Sequence, residues 1–191
     1  MPDLCEQLQR CFQGSVCLMG LGNIDYSDDG FGVCLADAIT QRLEPNEEAF
    51  RDVMVINAGT IPERFIGSLA EKDFDHLVFL DAVEFGGVPG SVLFLNAEGI
   101  VDRFPQISTH KISLSLMAKW IEESTTTKTW LLGVQPASLK AAHGLTPAVQ
   151  TTLTILDGLF YDLLISGKQT SKYMPYPEER SMRLPTEEVK V

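Results

Sequence analysis

Three short stretches of this chain carry side chains whose type and setting suit chemistry. The first is Gly20-Leu21-Gly22-Asn23-Ile24-Asp25-Tyr26-Ser27-Asp28-Asp29-Gly30-Phe31-Gly32, where two adjacent carboxylates precede a helical pattern. The second is Asp81, directly after Leu77-Val78-Phe79-Leu80, with Glu84 and the pair Gly86-Gly87 just beyond it. The third is His110, behind Ser108-Thr109. A carboxylate at the end of a buried strand must be ion-paired, solvated in a cleft or bound to a metal. A histidine at a helix start feels the positive end of the dipole, which favours the neutral imidazole that ligates metals. Two carboxylates and one imidazole from distant segments make a hard-to-borderline site with open positions, suited to nickel or zinc plus ligands from a partner. Asp29, Asp81 and His110 are the candidate metal-binding and catalytic residues.

Each has a plainer reading. Asp28 and Asp29 stand where N-cap residues stand, and capping alone would account for Asp28. Asp81 could pair with a lysine or arginine, and a lone histidine is often just a cap or an exposed side chain. His76 keeps that plain reading. So does His143, although its place after the fifth strand makes it a reserve ligand. Nucleophilic catalysis finds less support, because there is no G-x-S-x-G and no cysteine on a strand-end loop beside a histidine. A hydrolase of this kind would use carboxylates acting on water, or a metal-activated water. Dinucleotide binding is disfavoured: Gly20-Leu21-Gly22 begins a G-x-G-x-x-G, but Asp25 takes the third glycine position and Asn57, not an acid, ends the second strand.

The elements that must hold these residues alternate. Val16–Leu21, Val53–Ile56, Leu77–Leu80, Ser91–Leu95 and Trp130–Val134 read as strands. Gly30–Leu43, Pro62–Ala70, His110–Glu123 and Pro147–Ile165 read as helices, with Ser108–Thr109 capping the third. The connector Phe85–Gly90 is too short for a crossover helix, so the fourth strand should run antiparallel to the third. The pattern predicts an α/β three-layer sandwich, a mostly parallel five-stranded sheet with helices on both faces. Ligands bind such sheets beyond the carboxyl ends of the strands, where all three candidate segments lie.

Size and composition agree with one domain. The chain has 191 residues, 45% hydrophobic and 21% charged. Residues 1–166 are expected to form it, and 167–191, rich in proline and charge, to be an extended or disordered tail. A net charge of −11 argues against nucleic acid. No apolar run approaches the ~18 residues of a spanning helix, and no secretory signal opens the chain. Cys5, Cys11, Cys17 and Cys34 lack C-x-x-C spacing and are expected to be reduced, consistent with the cytoplasm. A monomer is expected.

Taken in order, the segments resemble the [NiFe]-hydrogenase maturation endopeptidases. The resemblance rests on Gly20–Gly32, Asn57-Ala58-Gly59-Thr60, Leu80-Asp81-Ala82-Val83 with Gly86-Gly87 and Pro89-Gly90, and Ser108-Thr109-His110-Lys111. Gly133-Val134-Gln135-Pro136 and Leu145-Thr146-Pro147 extend it over roughly residues 14 to 165. Thr109-His110 and Gln135-Pro136 lean toward members serving hydrogenase 3-type enzymes. The resemblance implies a protease that trims the C-terminus of the hydrogenase large-subunit precursor once nickel is loaded. By motif position, Asp29, Asp81 and His110 would then bind nickel presented by the substrate. One departure is plain: the family often has D-G-G-[ST] after the second strand, and Asn57 stands here in place of the acid. Outside the resemblance, a metal-sensing chaperone that does not cut and a small-ligand-binding α/β domain are the competing readings.

Overall fold

The computed structural model describes residues 4–45, 50–104 and 113–171, with side chains through 166. Its strands are β1 (Val16–Leu21), β2 (Val53–Gly59), β3 (His76–Ala82), β4 (Val92–Asn96) and β5 (Lys128–Val134). The helices are α1 (Leu4–Cys11), α2 (Phe31–Leu43), α3 (Ile66–Lys72), α4 (Ala97–Arg103), α5 (Leu114–Ser124) and α6 (Pro147–Ser171). Strand order is β2-β1-β3-β5-β4. The first four of these are mutually parallel and β4 pairs antiparallel with β5. The short connector does reverse the chain as expected, but β5 inserts between β3 and β4.

Central strands need apolar side chains on both faces, and β1 is buried at every position. Val16 and Leu18 join a core with α1, α2 and α6, while Cys17, Met19 and Leu21 join one with α3, α4 and α5. This is the three-layer sandwich. Two glycines bring α2 close to the sheet. A Cβ on Gly20 would stand 2.7 Å from that of Ala36, and one on Gly32 would run into the carbonyl oxygens of Leu80 and Leu21. The helix that follows the first loop is thereby pressed onto the ends of β1 and β3. Across this layer Arg42 of α2 grips Asp157 of α6 through Nε at 3.1 and 3.0 Å and through a second guanidinium nitrogen.

Several boundaries differ from the sequence reading. The helix expected at Pro62–Ala70 is a 3-10 turn, Pro62–Arg64, followed by α3. The helices α1 and α4 were not foreseen; α4 is capped by the Asn96 side chain, which accepts from Gly99 N at 3.0 Å. The helix expected to start at His110 starts at Leu114, because Ser113 is its cap and accepts from Leu116 N at 3.2 Å. His110 itself, with Ser108 and Thr109, lies outside the described residues, and the dipole argument for it loses its footing. The last helix continues past Ile165 to Ser171, since nothing in Ser166–Ser171 breaks it; residues 172–191 lie outside the described residues. Its stretch Pro147–Ser166 is as long and apolar as a membrane-spanning helix. Val149, Leu153, Leu156, Phe160, Leu163 and Leu164 of that stretch are buried in the protein's own core, while Ile155 faces outward.

Candidate functional site

In the order β2-β1-β3-β5-β4, the chain leaves β1 toward one side and later returns to place β3 on the other. A crevice opens at such a switch point, outside the carboxyl ends of the two strands. The loop after β1 carries Asp29, and the end of β3 carries Asp81. The topology therefore brings these two to one place.

Asp81 lies within β3, not after it, pairing in register with Gly133 of β5. It is buried, and its Oδ1 accepts from Ala82 N at 2.8 Å. Burial first, and the charge of Asp29 second, push its carboxyl up to about 8, against the lowering effect of the Ala82 N–H. The second cause places the charge of Asp29 close enough to act on Asp81.

The neighbouring aspartates of the first loop do different jobs, and neither caps α2. Residues Ser27–Gly30 form a 3-10 turn, Gly30 is the N-cap position, and no side-chain cap bond forms there. Asp28 is wholly buried and turns toward the segment between β5 and α6. Its Oδ2 accepts from Ala137 N at 2.8 Å, Ser138 N at 3.1 Å and Thr146 Oγ1 at 2.9 Å, and its Oδ1 from Thr146 N at 2.7 Å. Asp29 turns the other way: its Oδ2 accepts from Asn23 N at 2.8 Å. Gly22, at φ +117°, permits this fold, because a Cβ there would strike the Asp29 carbonyl oxygen. The glycines that suggested a nucleotide loop thus serve the close approach of α2 and of Asp29.

Gln135 organises the loop beyond Asp81. Its buried side-chain Oε1 accepts from Phe85 N at 2.9 Å and Gly87 N at 3.1 Å, while its carbonyl accepts from Gly90 N at 2.9 Å. Sequence reasoning noted Gln135 only as part of a motif; nothing local signals a brace 48–50 residues away. Glu63, on the turn after β2, was also missed: one of its carboxylate oxygens is buried and has no hydrogen-bond partner among the described residues. Asn57, standing where the resemblance expects an acid, donates from Nδ2 to Asp37 Oδ1 at 3.0 Å and so ties β2 to α2.

Of the other histidines, His143 does lie on this edge, 3.6 Å from Asp25, but both are well exposed. Such a pair contributes little to stability. His76 opens β3 at the opposite edge and accepts from Trp130 Nε1 at 3.0 Å; burial lowers its pKa. All four cysteines are free. Burial raises the Cys11 thiol, pushes Cys17 up to about 12 and raises Cys34, so none of these three is an activated nucleophile. Among the described residues no three histidine, cysteine or acidic side chains converge as a metal cage. What is described is two carboxylates near enough for the charge of Asp29 to raise the Asp81 carboxyl.

Known proteins resemble this chain over most of its length. Residues 33–156 match the family model described as HycI, hydrogenase maturation protease. That span includes Asp81 and position 110 and begins just after Asp29. The hydrogenase 2 maturation protease of Escherichia coli is 32% identical over 143 residues, 72% of this chain and 83% of that one. The coenzyme F420 hydrogenase subunit delta of Methanothermobacter thermautotrophicus is 27% identical over 146 residues, 74% and 89% of the two chains. Among solved structures, the [NiFe] hydrogenase maturation protease HycI of Thermococcus kodakarensis superposes with a TM-score of 0.72 at 27% identity, covering 83% of this chain and 99% of that one. The E. coli endopeptidase HybD gives 0.64 at 26% identity, with 82% and 93% covered. With its sheet order and these likenesses taken together, the chain belongs to the hydrogenase maturation protease family.

Proposed function

We propose that this protein is the endopeptidase that removes the C-terminal peptide of a [NiFe]-hydrogenase large-subunit precursor after nickel insertion, and that Asp29, Asp81 and His110 read the nickel carried by that substrate. The observation that supports it most is the carboxylate pair at the β1/β3 switch point, where the charge of Asp29 raises the pKa of Asp81. Two like-charged groups held together in a buried crevice repel each other, and a divalent cation relieves that repulsion. Near neutral pH the free protein keeps a proton on Asp81. A cation arriving with the substrate displaces it, so docking is linked to proton release. Two oxygen ligands and an imidazole leave coordination positions for the precursor's own ligands. The bond is cut by water, activated by carboxylate or metal; burial raises the thiols of Cys11, Cys17 and Cys34, which disfavours them as nucleophiles.

The test is cleavage of matched precursors. Nickel-loaded large-subunit precursor is expected to lose its C-terminal peptide, read as a mass decrease, and nickel-free precursor to stay intact. The His110→Ala variant is expected to lose that cleavage while retaining the wild-type unfolding temperature. Equal cutting of loaded and unloaded precursor would remove nickel from the recognition step. An unchanged precursor mass with tight binding would instead identify a chaperone.

A further inference from the structure

Nine large apolar side chains are well exposed among the described residues, and five of them stand on the loops around the acidic crevice. Ile24 and Tyr26 are on the loop after β1, Ile61 is on the turn after β2, Val88 follows β3 and Leu139 follows β5. Single exposed apolar residues are ordinary, but a concentration on one edge of a sheet marks an interaction surface. Every parallel strand contributes, so the apolar side chains form a rim and not a stripe along one element.

The rim is held in shape by backbone hydrogen bonds. Tyr26 bridges Ala142 while Ser27 N donates to Ala142 O at 2.7 Å, which fixes the first loop against the segment bearing Leu139. Gly22 N donates to Gly59 O at 3.0 Å and Ile61 N to Ala58 O at 3.2 Å, which fixes the β2 turn beside them. Val88, 74% exposed, sits in the loop braced by Gln135, and its carbonyl accepts from Ser91 N at 2.9 Å. Apolar groups presented on ordered backbone cost little entropy when a partner covers them.

We infer that this rim is the docking surface for an extended apolar stretch of the precursor polypeptide, flanking the bond to be cut. The inference rests on the processing function proposed above and adds what the enzyme grips besides the metal. Its occupant follows from continuity: a chain whose bond reaches Asp29 and Asp81 must cross these loops, and the side chains it meets there are Ile24, Tyr26, Ile61, Val88 and Leu139. The uptake is hydrophobic in origin, so it survives salt that screens the acidic field of the chain.

The experiment is steady-state cleavage of nickel-loaded precursor by the double variants Ile24→Ser/Val88→Ser and Tyr26→Ser/Leu139→Ser. Ile155→Ser, an exposed apolar position on the outer face of α6, serves as control. Each double variant is expected to raise KM about tenfold with kcat held within about twofold, the pattern of lost uniform binding. The same loss is expected at about 0.05 M and about 0.3 M salt, and the control should match wild type. Thermal unfolding run alongside reports that the variants remain folded. KM within about twofold of wild type in both double variants overturns the rim. So does a loss confined to low salt. A wild-type protein that leaves loaded precursor intact overturns the processing function itself, a separate result.

Discussion

Replacing Asp81 by asparagine is expected to stabilise the folded protein at neutral pH while destroying its activity. The sign follows from the raised carboxyl. Burial and the charge of Asp29 oppose its ionisation and push the folded-state carboxyl up to about 8, far above the ordinary carboxylate range. Below about pH 4 it is protonated in both states and costs nothing. Between about pH 4 and pH 8 the unfolded chain releases a proton that the folded chain keeps, so this group's contribution to stability falls as pH rises. Above about 8 the folded form must carry the buried charge and the loss is complete. Asparagine has no such titration. The advantage of Asp81→Asn over wild type should therefore grow from near zero at pH 4 to a few kcal/mol at pH 8, as read from urea midpoints across that range. Activity should move the opposite way, with a loss of at least about a hundredfold, the scale seen when a metal site is disturbed. A denaturation midpoint that does not depend on pH differently in the two proteins would refute the buried, Asp29-coupled carboxyl. Stability traded for a strained acidic site is a common signature of function.

That trade was partly legible beforehand. Asp81 directly follows four apolar residues, and a charge in that position demands an explanation from the sequence alone. The sandwich was legible too, because alternating apolar runs and helical patterns admit few other architectures. What the sequence hid was long range. Nothing near Asp28 announces that its partners are Ala137, Ser138 and Thr146, more than a hundred residues on. Local rules offered helix capping instead, which is the commoner use of an aspartate before a helix. The same limit explains Gln135, whose brace on the Phe85–Gly90 loop is a tertiary contact with no periodic trace. Helix starts also misled: Ser108-Thr109 and Ser113 are equally good caps by type, and only packing decides that α5 begins at Leu114.

The two adjacent aspartates offer the sharpest separation of structure from chemistry. Asp28→Ala is expected to cost about 3–5 kcal/mol, because three backbone N–H groups and the Thr146 hydroxyl lose their acceptor in a buried setting. Against a typical domain stability of about 5–15 kcal/mol, that leaves the protein marginal and lowers its unfolding temperature by on the order of 10 °C. The damage should begin locally, with amide hydrogens of Ala137, Ser138 and Thr146 exchanging far faster than those of β1 and β3. Asp29→Asn should behave differently. Its side chain accepts one hydrogen bond, from Asn23 N, and an asparagine oxygen can accept the same bond. Its stability should stay within about 1 kcal/mol of wild type, and removing its charge should bring the Asp81 carboxyl down, since that charge is one of the two causes of the shift. A variant of Asp28 as stable as wild type, or of Asp29 as damaged as Asp28→Ala, would reverse the assignment. The clasp formed by Asp28 links the loop after β1 to the loop after β5, so it also holds Tyr26 and Leu139 in register beside the crevice. Loss of Asp28 should therefore weaken precursor binding as well as folding, whereas loss of Asp29 should abolish only the response to nickel.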